Sequence, residues 1–503
     1  MKRIIILVTI SFFVLNSCKK DILDLNPLDK ISTPTFWNKK ADFDQALTAV
    51  YGLRTDRMFT LDMGVWDCLT DLGYGKTTSE IVSGNINPST GQYILPVYST
   101  CYSAIARINL FLQQLEQYSG KDLTENEKRQ SEAEVKFHRA FYYFQLYNLY
   151  GDVPLVLEPL TVETMKQPKE SADAIFNQVL ADIDFAIENL STGSYVTSQG
   201  RPTVSSAQAF KARALIFKAY GNAGTPDVPL LTQVRDLCLS IQNAGYYSLS
   251  PKFSDVFQDK GQEGNKEIIY SVNFLKPNNT TQWDLYYGDQ IAASPLPSFV
   301  ADFECTDGLP WGTSPLTNPA NPMVNRDPRL AMTVFKDKPD WGGGNVHNPT
   351  NSRPTGYGVI KFCVPENVPY GYSTLSQQNA VMLRYSEVML MYAEAQNEIM
   401  GPDETVYNAI NAIRNRVDMP PLSEGLTQNQ MREKIRHERK IELSFEGLRY
   451  FDLKRWRIAD QVLNAVTDGI LVYKFLDKFY KWPLPQYDID VSGGILIQNP
   501  DYK

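Results

Sequence analysis

Histidine is nearly absent from this sequence, with three in 503 residues. A His-rich metal site or an imidazole proton relay therefore has almost no material to work with. Cysteine is sparse too. Six occur at wide spacing with no C-x-x-C, which excludes a zinc ribbon and a dense disulfide framework. Cys68, Cys101, Cys238, Cys305 and Cys363 are read mainly as small buried apolar residues, with room for one disulfide if the chain is exported. There is no G-x-S-x-G elbow, no H-E-x-x-H and no Walker loop, and Gly342-Gly343-Gly344 lacks the Lys and Ser/Thr of a phosphate cradle. No long basic run exists. With 49 Lys+Arg against 57 Asp+Glu the net charge is −8, so no nucleic-acid footprint is expected. No apolar stretch reaches the roughly 20 residues that cross a bilayer, so no transmembrane helix is expected in the mature chain.

What is present begins with an export signal. Lys2 and Arg3 precede a nearly unbroken apolar run from Ile4 to Leu15, of signal-peptide length. Leu15-Asn16-Ser17-Cys18 resembles a bacterial lipobox, although Asn16 departs from its commonest pattern. Residues 1–17 then form a lipoprotein signal peptide and Cys18 becomes the lipidated first residue. Several acyl chains on one residue hold more firmly than the marginal grip of one. Residues 18–35, polar and containing Pro27 and Pro34, read as a tether, and 36–503 as a single domain.

That domain has ample surface to bury, with 24 Phe, 28 Tyr and 7 Trp in a chain 43% apolar and 21% charged, so disorder is excluded as a whole-chain reading. Helical periodicity dominates both ends. Ala133, Phe137, Ala140, Phe141 and Phe144 make one stripe, and Ala207, Phe210, Ala214 and Phe217 another. Val381, Tyr385, Val388, Tyr392 and Ala395 make a third, Tyr407, Ile410 and Ile413 begin a fourth, and residues 435–451 read as a further helix. Alanine facing large aromatics at this spacing is how antiparallel helix pairs interlock, so the expected fold is mainly α, with tetratricopeptide-like pairs.

Residues 250–372 differ. They are rich in Pro, Gly, Asn and Asp, with strand-like runs no longer than Glu267–Asn273, yet they hold three of the seven tryptophans. Long irregular segments on a rigid scaffold commonly carry binding. Their aromatics suit a carbohydrate, because the C–H face of a sugar complements the negative face of an indole or phenol. The candidate ligand-binding residues are Trp283, Tyr286, Tyr287, Trp311 and Trp341, with Tyr74 in the Gly73–Gly75 loop as an outlier. Asn278, Asp284, Asp289 and Asp307 stand nearby in sequence as hydroxyl partners. The competing reading is that these rings seal the segment against the helices.

Candidates for catalysis or metal binding are weaker. Glu438, Glu442 and Glu446 share a helical face, but they alternate with Arg436, Arg439 and Lys440, which points to ion pairs within and between helices rather than a glycosidase pair. Asp488–Gly493 opens like a calcium loop, but its twelfth position is Asn499, not glutamate. His138 and His437 read as packing or surface residues, and His347 stays open. No catalytic residue, metal or cofactor is expected.

Several phrases resemble a known family. Leu23-Asp24-Leu25-Asn26-Pro27 followed by Phe36-Trp37-Asn38 and Ala46 to Tyr51 resembles the opening of the SusD/RagB family of Bacteroidetes outer-membrane lipoproteins. Tyr98, Tyr102, Ile105 and Asn109 resemble its next helix. Glu132-Ala133-Glu134, Arg139 to Phe144 and Tyr150 to Leu155 continue the likeness, as do Leu383-Arg384-Tyr385 and Tyr392 to Ala395. Glu438-Arg439, Glu442-Leu443, Phe445 to Leu453 and Arg455-Trp456 resemble the last long helix, and Trp482 to Pro485 with Gln498-Asn499-Pro500 the C-terminal phrase. The resemblance implies a SusD-like fold and a surface-exposed, non-catalytic lipoprotein held in the outer membrane through Cys18. It would capture a glycan for a SusC-like TonB-dependent transporter. The matched motifs are fold motifs and carry no ligand residues, so the candidate site rests on composition and position alone. Peptide capture of the RagB kind, an interaction scaffold using the helical faces, and a glycosidase are the rival readings.

Overall fold

The computed structural model describes residues 36–198, 200–336 and 347–503. The leader, Cys18, the tether and Trp341 with its neighbouring glycines lie outside them. Among the described residues no helix is long and apolar enough to cross a membrane.

The principal helices are α1 (Lys40–Leu53), α2 (Ile94–Gln117), α3 (Glu125–Tyr150), α4 (Ala172–Asn189), α5 (Val204–Lys218), α6 (Val228–Asn243), α7 (Tyr385–Met400), α8 (Glu404–Asn415), α9 (Gln428–Glu442) and α10 (Arg449–Arg455). From α1 to α8 each packs against the next in chain order, and α9 packs on α7. Mainly helical architecture with paired helices is what the Ala/aromatic stripes predict. Boundaries are written locally. Thr124 and Glu127 close a capping box at the start of α3, and Gly151, at φ +80°, ends it in a conformation that favours glycine.

Polar residues staple the array where helices meet. The Arg139 guanidinium on α3 donates to both oxygens of Asp182 on α4 at 2.8 Å and to Asn109 Oδ1 on α2 at 3.0 Å. One planar fork thus registers three helices, a task that a lysine point charge could not perform.

Two sequence expectations are corrected. Val381 does not join the helical stripe of α7. It lies in β6 (Ala380–Arg384), antiparallel to β2 (Ile268–Val272), and the helix begins at Tyr385. The expected helix over 435–451 breaks between α9 and α10, where Phe445 and Gly447 adopt φ of +63° and +76°. The other strands form two short pairs: β1 (Gly73–Tyr74) with β3 (Ser294–Pro295), and β4 (Val334–Lys336) with β5 (Tyr357–Val359).

Three irregular stretches, 54–93, 244–384 and 443–503, converge into one loop-rich body. β1 pairs with β3, Tyr473 donates its hydroxyl to Gly73 O, and Asp67 accepts the backbone N–H groups of Gly447 and Arg449. Each stretch satisfies backbone groups of another, which is how long loops stay ordered away from their own ladders.

The join between this body and α9 is ionic. Glu442, fully buried, accepts from Arg384 at 2.6 Å, Arg416 at 2.6 Å and Arg329 at 3.0 Å. Glu446 takes a two-pronged bond from Arg384 and a third from Lys361 at 2.7 Å. With Arg414 and Lys434 on one side and Glu267, Glu304, Asp327 and Glu438 on the other, six cations face six carboxylates. Burial pushes the Glu442 carboxyl up, but Arg416, Arg384 and Arg329 outweigh it and hold it well below the usual range.

Candidate ligand-binding face

Trp283 opens a π-helical turn over Asp284–Asp289 in the loop-rich body. The turn is fixed from below. Asp284 accepts from Val364 N, Asn367 Nδ2, Ser376 Oγ and Gln378 Nε2 at 2.7–3.1 Å. Tyr287 donates to Leu61 O at 2.6 Å and accepts from Gly64 N at 3.0 Å, tying the turn to the first irregular stretch.

This geometry corrects three members of the candidate site. Trp283 is 1% exposed, Tyr287 0% and Tyr286 8%. Trp283 stacks on Tyr287, with ring centroids 5.7 Å apart, and both rings meet Phe362. A buried face cannot meet a sugar. These rings seal the loops to the scaffold, and so they support a binding surface rather than forming it. Tyr286 carries the Arg57 guanidinium over its ring at 4.2 Å, and Arg57 in turn pairs with Asp62 at 3.0 Å.

The other named residues stand apart. Trp311 is half-buried in the 304–326 loop, under the guanidinium of Arg326, and its indole N–H has no acceptor among the described residues. Arg326 donates to the carbonyls of Val300, Phe303 and Pro322, which clasps that loop to the body. Tyr74 is half-buried in β1, opposite Ser294. Among the described residues no ring contact joins Trp311 or Tyr74 to the Trp283 cluster. Asp284 and Asp289 are consumed internally, the latter by His347 Nε2 at 3.0 Å and by Thr350.

What sequence reasoning missed is Tyr372. It is 83% exposed, and its hydroxyl accepts from Gln290 Nε2 at 3.2 Å, immediately beyond the π-helical turn. The Gln290 carbonyl accepts from Asn351 Nδ2 at 2.9 Å. An open phenol thus lies beside two amides, a flat apolar surface bordered by groups that recognise hydroxyls. Only its neighbourhood in an aromatic-rich loop signalled it, because exposure is not written in the sequence.

The carboxylates that could suggest hydrolysis are otherwise engaged. Glu438, Glu442 and Glu446 each bond to arginine in the buried network, as the alternation with basic residues predicts. A general acid needs its proton retained near neutrality. In Glu446, as in Glu442, the neighbouring cations overcome burial and pull the carboxyl down. Among the described residues no group of three or more His, Cys, Asp or Glu could hold a metal ion, and all five cysteines are free and buried. His138 is buried, and His437 Nε2 lies 2.9 Å from Asp302 O. Asp488 and Asp490 fall in a helix, Gln486–Ser492, not a calcium loop.

The pairing has a pH signature. Burial pushes the Glu394 carboxyl up, but Arg455, Arg439 and the Trp456 indole hold it down at about 2. Its unfolded value is about 4.3. Because the folded value is the lower, its stabilisation of roughly 3 kcal/mol is fully present above about pH 4.5 and is lost as pH falls toward 2. Asp67 acts oppositely. Burial outweighs its two backbone donors and raises it to about 7. Its contribution is present below about pH 3.9 and is lost as pH rises through 7. Thermal midpoints measured from pH 3 to 9 are expected to peak between these limits, and a flat acid limb would show the ion pairs to be solvated.

The molecule is a helical-repeat scaffold that carries a loop-built, aromatic-bearing face and a saturated ionic joint. Residues 253–502 match the family model described as the SusD family, and residues 21–216 match one described as "Starch-binding associating with outer membrane". The chain belongs to the SusD/RagB family. SusD-like protein P38 of Formosa agariphila is 24% identical over 515 residues, covering 95% of this chain and 94% of that protein. The crystal structure of a SusD-like carbohydrate-binding protein from Bacteroides fragilis shares the fold with a TM-score of 0.79 at 24% identity, over 93% of this chain and all of that one. A laminarin-binding SusD-like protein does so with a TM-score of 0.71 at 20% identity, over 92% of this chain and all of that one.

Proposed function

We propose that this protein is a surface glycan-binding lipoprotein that captures oligo- or polysaccharide without turning it over and passes it to a SusC-like TonB-dependent transporter. Family membership and the carbohydrate-binding relatives support the ligand class, and the family description supports outer-membrane association. Cys18 is the proposed lipid anchor. The observation that carries the site is the exposed Tyr372 ring, set by Gln290 beside Asn351. Trp311 and Tyr74 are kept as secondary contacts, and Trp341 as a contact proposed from sequence.

The test is retardation of the soluble chain, from Lys19 onward, in native gels containing a panel of polysaccharides, followed by calorimetry on any hit. Tyr372→Ala is expected to weaken binding roughly tenfold, about 1.4 kcal/mol, while leaving the thermal midpoint unchanged. Unaltered glycan affinity in that variant would move the site elsewhere. Retardation by no glycan would favour the peptide-capturing reading.

A further inference from the structure

At the C-terminal ends of α3 and α5 the scaffold opens into a cleft of about 420 Å³. Its walls carry Lys218, Lys454, Arg457 and Lys481, together with Tyr147 and Tyr480. The lining holds one carboxylate, Asp173, whose side chain is 79% exposed and pairs with Lys218. Lys454, Arg457 and Lys481 make no ion pair among the described residues. Lys454 donates to Asn148 O at 3.2 Å, Lys481 to Tyr147 O at 2.9 Å and Arg457 to Asn222 Oδ1 at 2.5 Å. Arg455, on the same wall, is consumed by Glu394 and Asp452.

Two lysines at the end of α3 are in part a helix cap, since free carbonyls and the helix dipole both favour cations there. Capping accounts for one bond from each ammonium. It does not account for four cations sharing one cleft with a single exposed carboxylate, because like charges repel and buried ones cost several kcal/mol. The neighbours register that cost. Burial, with Arg457 and Lys218 adding to it against Asp152, depresses Lys481 to about 8, and burial with Lys481 and Arg457 holds Lys454 well below its ordinary value. In the network around Glu442 the same chain matches cation to carboxylate, whereas here Lys218, Lys454, Arg457 and Lys481 face one lining carboxylate.

We propose that this cleft is an anion site that takes a sulfate or phosphate group. A multiply charged tetrahedral oxyanion offers several acceptors to ammonium and guanidinium donors converging from separate elements. The space exceeds that of a bare ion and falls in the range of ligand pockets, about 300–1,000 Å³, so an ester on a sugar-sized body also fits. Tyr147 lies under Lys481 at 4.8 Å and Tyr480 under Arg457 at 4.1 Å, giving such a body aromatic walls. The site shares no residue with the Tyr372 patch and does not depend on it.

The test compares thermal midpoints of the soluble chain in sodium sulfate, sodium phosphate, glucose 6-sulfate, glucose 6-phosphate, glucose and sodium chloride at matched ionic strength, with calorimetry of the stabilising compounds. A rise with the oxyanions beyond that with chloride is expected, since a ligand of the native state stabilises it. Stabilisation by the esters above the inorganic ions assigns a carried group, whereas stabilisation by the inorganic ions alone assigns a free ion. Lys481→Met and Arg457→Gln are each expected to weaken binding roughly tenfold. Lys481→Met removes an unpaired, half-buried charge, so its unliganded midpoint is expected to equal or exceed that of the parent. Equal shifts in chloride and sulfate, or undiminished binding in both variants, would overturn the proposal.

Discussion

Glutamine in place of Glu442 is expected to lower unfolding free energy by about 3–5 kcal/mol, the cost of removing one partner from a buried ionic cluster. The substitution keeps volume, removes the charge and turns one of two accepting oxygens into an amide donor that faces guanidinium donors, so the loss combines charge and hydrogen bonding. Three guanidinium groups, from Arg329, Arg384 and Arg416, then share a fully buried site whose anion is gone. Their positions explain why the effect spreads. Arg384 ends β6 and Arg329 belongs to the loop-rich body, whereas Arg416 follows α8, and Glu442 ends α9. One carboxylate therefore touches both the insertion and the helical array, at the centre of the joint. Urea titration of the variant is the measurement, and the slope of the transition carries a second readout. If the joint loosens while the helices stay folded, the transition becomes broader or biphasic, because cooperativity between the two bodies has been lost. A change below about 1 kcal/mol would mean that water screens the cluster as it does a surface pair.

The same cluster shows what the sequence carries and what it leaves out. Three glutamates four residues apart, interleaved with basic residues, are legible as one ion-pairing helical face, and they pair as expected. Their partners are not legible, because Arg384 and Arg329 lie 58 and 113 positions away, and only the tertiary fold brings them together. Helix stripes follow the same logic. Alanine facing phenylalanine at helical spacing reports a buried face wherever the neighbour is another helix, so α3 and α5 read correctly. Apolar residues at Val381 and Leu383 extend that pattern N-terminally into a strand, since short apolar runs serve either element. The break at Phe445 was hidden for another reason. A phenylalanine at positive φ is rare enough that no local rule anticipates it. Exposure is the largest gap. Tyr287 and Tyr372 have the same side chain, in the same irregular segment, yet one is sealed and the other open. That difference is set by contacts to Leu61 and Gly64, more than two hundred residues away.

Trp283 turns that gap into an experiment, because its two possible roles give opposite results. As a stacking platform it would cost affinity and spare stability when truncated. As the sealed ring observed here, Trp283→Ala is expected to destabilise the protein by about 3–5 kcal/mol, the range for emptying a large aromatic site. The cavity would open between Tyr287 and Phe362, whose rings lie 5.7 and 4.6 Å from the indole. Local collapse is restrained, since the next residue, Asp284, is pinned by four hydrogen bonds to its carboxylate. Trp283→Phe separates packing from polarity. The indole N–H of Trp283 has no acceptor among the described residues, so phenylalanine loses no hydrogen bond seen there and relieves a buried donor while refilling most of the space. It is expected to recover more than half of the stability lost in the alanine variant. Glycan affinity, measured well below each variant's midpoint, is expected to stay near the parent value in Trp283→Phe and to fall in Tyr372→Ala. The reverse pattern, a stable Trp283→Ala that no longer binds, would return the ligand to the π-helical turn. It would also require the loops over that turn to open, since a ring 1% exposed has no free face to offer.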